Sequence, residues 1–451
     1  MKAVRLVCVA LLAGTAGCST PSGPALDAAP TTTPPPASSA PASPAAAPAP
    51  GPVTSFAGAL ATAFRANPAL GAARAEARAA NELVPQAEAR LRPQINASVT
   101  GAANYTVQNG DDGAATAGVT LSQIVYDGDQ GRNAVAGAQA DTIAAEARLR
   151  QSEQAVLLDA GTAYFDVVRD QAVLALNDSS IAFLNGELAD LNQRVAAGDA
   201  TRTDLLLLQS GIATARASRS LAEGDLAESR ATFVQLVGAE AGALSGGAGL
   251  DALLPRSLAE ARAAAAAQHP AILAAGQAAI AASYALRVAE GVRRPQVSIE
   301  ANVQQRFEIG ATDTSAQILG RITIPIYDGG LAAARQREAE AILAQRQFEA
   351  ADTTGQVEAA VVSAWGRLEA SRTRAAATED AVDAAALALD TVRREEDAGL
   401  RSTLDVVDAE RLLIQARIAR AQAEHDTSIA ALMLLAALGQ LTPERLGLAV
   451  D

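Results

Sequence analysis

The sequence predicts a mostly α-helical chain with a small membrane β-barrel part, built from two tandem copies of one unit. Three observations predict it. Landmarks recur about 201 residues apart, and each copy holds two segments of alternating polarity. Each copy also holds a proline-free stretch long enough for a helix of roughly 100 Å.

Composition agrees with long helices. Hydrophobic residues make up 49% of the 451, but aromatics only 3%. That balance suits Ala- and Leu-rich helices packed closely side by side better than one globular core. The chain has 50 acidic and 36 basic side chains, a formal net charge of -14. Nucleic-acid binding is excluded, because a phosphate backbone needs clustered Lys and Arg.

The N-terminus reads as an address. Lys2 and Arg5 precede an apolar run, Leu6 to Ala16, that is too short to span a membrane stably. Thr15-Ala16-Gly17-Cys18 resembles a bacterial lipobox, with Thr15 where Leu is usual. Residues 1–17 are therefore expected to be cleaved and Cys18 to carry lipid. An ordinary signal peptide with an incidental cysteine is the alternative. Residues 18–54 are rich in Pro, Ala, Ser and Thr and form an extended tether. The sequence has no later run of 18 or more consecutive apolar residues, so any membrane crossing falls to strands.

Copy one spans 55–240 and copy two 257–440. A Gly-rich linker, 241–256, joins them, and 441–451 is a tail. Asn67-Pro68 matches His269-Pro270, and Arg92-Pro93-Gln94 matches Arg294-Pro295-Gln296. Tyr126-Asp127-Gly128 matches Tyr327-Asp328-Gly329, and Ala197-Gly198 matches Ala398-Gly399. Each copy opens with a helical segment, Ser55 to Arg90 or Ser257 to Arg293. Asn67-Pro68 and His269-Pro270 are cap-plus-proline helix starts, so a break is expected at each. The long helices are Arg132 to Ala197 and Leu331 to Ala398. A Gly turn and a return helix follow. Ile181, Leu184, Leu188, Leu191 and Val195 step by three and four, as do Ile414, Ile418 and Ala421, which is coiled-coil or bundle spacing.

The strands alternate. In Pro295 to Ile309, Val297, Ile299, Ala301, Val303 and Phe307 face one way, and Gln296, Ser298, Glu300, Asn302 and Gln304 the other. Ile95, Ala97 and Val99 repeat this in copy one. The returning strands are expected at about Ala115 to Tyr126 and Ser315 to Tyr327. Each is long enough for a tilted crossing of about 9 to 11 residues. A soluble hairpin with one face on a core gives the same pattern. Four strands cannot close a barrel in lipid, so the membrane reading requires several chains. Three chains give twelve strands.

These features resemble the TolC outer-membrane efflux family over most of Ser55 to Gln440. The carrying motifs are the strand starts at Pro93 and Pro295, Tyr327-Asp328-Gly329-Gly330, and the run Gly399-Leu400-Arg401-Ser402-Thr403-Leu404-Asp405-Val406-Val407-Asp408-Ala409. Copy one departs, with Asp129 in place of the second Gly. The resemblance implies a homotrimer in outer-membrane lipid, with a twelve-strand β-barrel continued by a twelve-helix tunnel into the periplasm. It implies a closed periplasmic end, opened by a periplasmic adaptor that docks at the Gly198 and Gly399 turns. It also implies an inner-membrane pump, of RND or ABC type, and export by efflux or type I secretion.

Asp405 and Asp408 lie three apart on one helix, so both can point to one side. In a trimer they would make an acidic ring at the tunnel entrance, attractive to cations and a barrier to anions. Asp204 is the copy-one partner of Asp405, but Leu207 stands where a second Asp would be. By resemblance, Arg401, Thr203 and Asp204 form polar links that hold the coils shut.

No catalysis, cofactor or metal is expected. Only two His and two Met occur, and no phosphate-binding loop is present. His269 is placed at a helix end, and His425 on the packed stripe of Ile414, Ile418 and Ala421. A lipid-anchored periplasmic coiled-coil scaffold without a pore is the rival reading. It explains the lipobox, tether and helices, but not the four alternating strands.

Overall fold

The computed structural model describes residues 51–106, 110–246, 249–308 and 311–448. Cys18, the leader and most of the tether lie outside them, as do residues 107–109 and 309–310.

Copy one begins with α1 (Phe56–Ala66), α2 (Pro68–Asn81) and α3 (Leu83–Ala89). The Asn67 side chain accepts from the Ala69 and Leu70 amides at the start of α2, and Pro68 fills the first helical position. Copy two has α6 (Leu258–Gln268) and α7 (Pro270–Gly291). There His269 Nδ1 accepts from the Ala271 amide at 3.1 Å, an imidazole in the capping role. A second break, at Glu82, divides copy one's segment into three helices rather than two.

Strands β1 (Gln94–Thr106) and β2 (Gly110–Tyr126) form the first hairpin, β3 (Gln296–Glu308) and β4 (Ala311–Thr323) the second. The returning strands start four or five residues earlier than the sequence pattern suggests. β4 also stops at Thr323, not Tyr327, because Pro325 has no N–H to give a ladder. The sheet is an antiparallel meander in the order β1-β2-β3-β4. Its register sorts the side chains: Ala97, Val119, Val303 and Ala316 stand in one row, and Ile95, Leu121, Ala301 and Ile318 in another. The intervening rows are polar, such as Asn96, Thr120, Asn302 and Gln317. Both hairpins thus present their apolar residues on the same face. That face is bare in the single chain, with Val99 82% and Ile318 81% exposed.

The long helices are α4 (Gln130–Ala197, 68 residues) and α8 (Leu331–Asp397, 67 residues), and the return helices are α5 (Arg202–Val237) and α9 (Thr403–Ala437). Near the sheet the helices pack in the order α2/α3, α4, α7, α8. Toward the turns the order is α5, α4, α9, α8. Between the two lies the largest core, where Phe56, Tyr164 and Phe165 stack near Leu432, Leu435 and Leu438. Two smaller cores zip the coils: Leu184, Leu191, Leu208 and Ile212 in one, Val382, Leu389, Val406 and Leu413 in the other.

One helical run, Leu258–Gly291, is long and apolar enough to cross a membrane by length and composition. It is not a run of consecutive apolar residues, since Gln268, His269 and Gln277 interrupt it. Its apolarity is largely alanine, the run is broken at His269-Pro270, and α7 packs between α4 and α8.

Candidate functional site at the helical turns

Both coils end in the same local chemistry. Gly198 (φ 86) and Gly399 (φ 76) adopt the left-handed conformation that lets a helix stop abruptly. The Asp199 amide then donates to Arg194 O at 2.8 Å, and the Leu400 amide to Glu395 O at 2.8 Å, satisfying carbonyls the helix end leaves open. The chain re-enters helix through a capping box on each side. Thr201 Oγ1 accepts from the Asp204 amide, and Asp204 Oδ2 accepts from the Thr201 amide at 3.1 Å. Ser402 and Asp405 do the same, with the Ser402 amide 2.9 Å from Asp405 Oδ2.

This changes how the sequence-predicted residues are read. Asp204 and Asp405 are helix caps first. The Ser402 amide and hydroxyl, helped by Arg401, hold the Asp405 carboxyl below its usual range. Asp405 is folded back on its own turn, whereas Asp408 is well exposed and lies 3.2 Å from Arg411. Asp408 lines a groove of about 730 Å³ floored by α4, and Leu207 lines the same groove from α5. Arg401 reaches Glu395 at 2.9 Å and Asp405 at 3.9 Å, both in its own coil. Thr203 is exposed on the first turn of α5. None of these contacts of Asp204, Arg401 or Asp405 crosses from one coil to the other.

The contacts that do cross involve residues the sequence reading missed. Arg194 Nη1, on the last turn of α4, donates to Glu396 Oε1 and to Thr403 Oγ1, each at 2.8 Å. Thr403 Oγ1 donates in turn to Glu396 Oε1 at 2.7 Å. Above it, Arg393 lies over the Phe183 ring and 3.8 Å from Glu187 Oε1. Burial, with Glu396 nearby, pushes the Glu187 carboxyl up.

A second polar cluster lies nearer the large core. His425 Nε2 is 2.8 Å from Asp166 Oδ1, and Nδ1 is 3.2 Å from Asp426 Oδ1. Arg169 bonds Asp166 and Asp170, and Arg374 bonds Asp426 at 2.7 Å. His425 therefore belongs to an ionic network joining α4, α8 and α9, which corrects its placement on an apolar stripe. Helical spacing gave its face correctly but not what that face meets.

The bare apolar sheet face, the two long coils and the paired Gly turns all bear on identity. The model of the outer membrane efflux protein family matches residues 59–239 and again 261–440. The chain belongs to the outer membrane efflux protein family. Membership makes it an outer-membrane channel protein for efflux. Among its relatives, outer membrane efflux protein BepC of Brucella suis biovar 1 (strain 1330) is 36% identical over 397 residues, 87% of each chain. Outer membrane protein TolC of Vibrio cholerae serotype O1 is 26% identical over 406 residues, 84% of this chain and 89% of that one. The fold resembles that of a solved CusC channel, with TM-score 0.76 and 18% identity over 85% of this chain and 91% of that one. It also resembles the open-state MtrE channel of Neisseria gonorrhoeae, with TM-score 0.74 and 18% identity over 86% of this chain and 89% of that one.

Proposed function

We propose that three copies of this chain form the outer-membrane exit duct of a tripartite efflux or type I secretion system. One observation carries the reading. The lateral order of strands, β1-β2-β3-β4, follows the lateral order of the helices that enter and leave them, α3, α4, α7 and α8. The chain is thus a strip of wall, four strands wide and four helices wide, with a raw edge on each side. Lipid does not tolerate the unpaired backbone of β1 and β4, so the strip must close on copies of itself. Three strips give twelve strands and twelve helices, with the apolar rows toward lipid and the polar rows around water. The 201-residue repeat is a duplication that built the strip from two half-strips.

On this reading Cys18 anchors each subunit to the outer membrane and 19–54 is a periplasmic tether. A periplasmic adaptor docks at the Gly198 and Gly399 turns, and an RND or ABC pump in the inner membrane supplies the energy. Asp408, with Asp405 beside it, rings the entrance. The scaffold reading gives no role to a sheet whose large apolar residues face outward.

The experiment is single-channel recording of the purified protein in planar bilayers. Conductance that divalent cations block, with the block removed by Asp405→Ala combined with Asp408→Ala, supports the duct and its acidic ring. Absence of any conductance rejects the duct, and block unchanged in the double variant rejects the ring.

A further inference from the structure

We infer that the cleft between α4, the start of α7 and the segment after α9 binds a small zwitterion with an apolar side group, of the amino acid or short peptide class. One chain forms the whole cleft, so the site goes beyond the duct reading and stands without it.

The break at His269-Pro270 makes the cleft possible. Gly439 sits at φ 71, and the chain after α9 passes so close to the break that a Cβ on Gly439 would lie 2.9 Å from His269 Cα. Beside this contact is an opening of about 820 Å³, the size of a small-molecule site. Arg150, Glu153 and Gln154 of α4 line one side, Gln277 of α7 a second, and Glu444 a third. In the helix order α2/α3, α4, α7, α8, the walls α4 and α7 lie inside the strip. Closing the strip on its copies therefore leaves the cleft within one subunit.

The polar groups at the cleft are set for a ligand rather than for each other. Gln154 is 7% exposed, yet its amide makes no hydrogen bond to any described residue and opens onto the cleft. A buried amide without a partner costs free energy that a bound polar group recovers. The side chains of Arg150, Glu153 and Glu444 likewise make no ion pair or hydrogen bond among the described residues. Burial pushes the Glu153 carboxyl up; Arg74 opposes this, Glu444 adds to it and Arg150 opposes it. An ammonium group near both carboxylates relieves their repulsion, and a carboxylate suits the Arg150 guanidinium. His269 Nδ1 accepts from the Ala271 amide and burial favours the neutral ring, so Nε2 keeps its proton as a further donor. Ile272, Leu273 and Ile280 supply an apolar wall. Unpaired charges of both signs beside such a wall match a zwitterion with an apolar side group better than a simple cation or anion.

The test is isothermal titration calorimetry of the detergent-extracted, full-length protein with L-leucylglycine, its N-acetyl derivative and its C-terminal amide. The zwitterionic dipeptide should bind saturably, with one site per chain. Each blocked form should bind about tenfold more weakly, the loss of one charge-assisted contact. Gln154→Leu and Arg150→Gln should each weaken the dipeptide by about tenfold as well. Arg148→Gln, on the same helix but outside the cleft, should leave binding unchanged. Arg150 is exposed, so Arg150→Gln stays informative if Gln154→Leu fails to fold. No saturable heat with the dipeptide overturns the site. Equal affinity for all three peptides overturns it too, as does wild-type affinity in Arg150→Gln. None of these results bears on conductance, so the duct reading survives them.

Discussion

Arg294 Nη1 lies 2.6 Å from Asp129 Oδ2, joining the start of β3 to the turn that launches α4. Asp129 stands at φ 70, the left-handed region, and is the one non-glycine residue there among the described residues. At the matching place in copy two, Gly330 sits at φ 89 and needs no such partner. A residue with a Cβ loses about 1–2 kcal/mol in this conformation, and a half-exposed ion pair returns about 0.2–1 kcal/mol. Arg294→Ala should therefore destabilise the protein by up to about 1 kcal/mol, whereas Asp129→Gly should be neutral or stabilising. In an Asp129→Gly background Arg294→Ala should cost less than it does alone. Thermal unfolding of the four proteins gives the comparison.

Acid should loosen the network around His425. Burial raises the Asp166 carboxyl, but the His425 hydrogen bond, the Arg169 guanidinium and the His425 charge outweigh it and hold it below its ordinary 3.8. A carboxylate lowered on folding stabilises the protein above its unfolded value, and that contribution is lost as pH falls through the folded value. The melting temperature of wild type should thus fall more steeply below about pH 4 than that of Asp166→Asn. Parallel curves would show that the pair carries no stability.

Glu410 has the opposite sign. It is buried between α9 and its neighbours, and burial pushes its carboxyl up, with Arg417 and Arg393 opposing only in part. A carboxyl raised on folding favours the folded state at low pH and opposes it once ionised above the folded value. Glu410→Gln keeps the shape and removes the charge. It should raise the melting temperature at pH 7 and lose that advantage as pH drops below about 4.

What the sequence made legible was what repeats locally. Alternation placed Val297, Ile299 and Val303 on one strand face, and cap-plus-proline pairs placed the breaks at Asn67 and His269. Tertiary pairings were hidden. Arg194 and Glu396 are 202 positions apart, and each reads alone as an ordinary helix-end charge. Asp405 looked like a free gate carboxylate, because Ser402, three residues before it, gains meaning only once the turn is seen as a capping box. His425 lay on a helical stripe whose spacing says nothing of the Asp166 that meets it from α4.

The most direct check on the whole account is the mass of the detergent-extracted, full-length protein by native mass spectrometry. A particle of three chains is expected, the number that closes the raw edges at β1 and β4 with twelve strands. A monomeric particle would contradict it, because a four-stranded sheet with two open edges cannot line a channel through lipid.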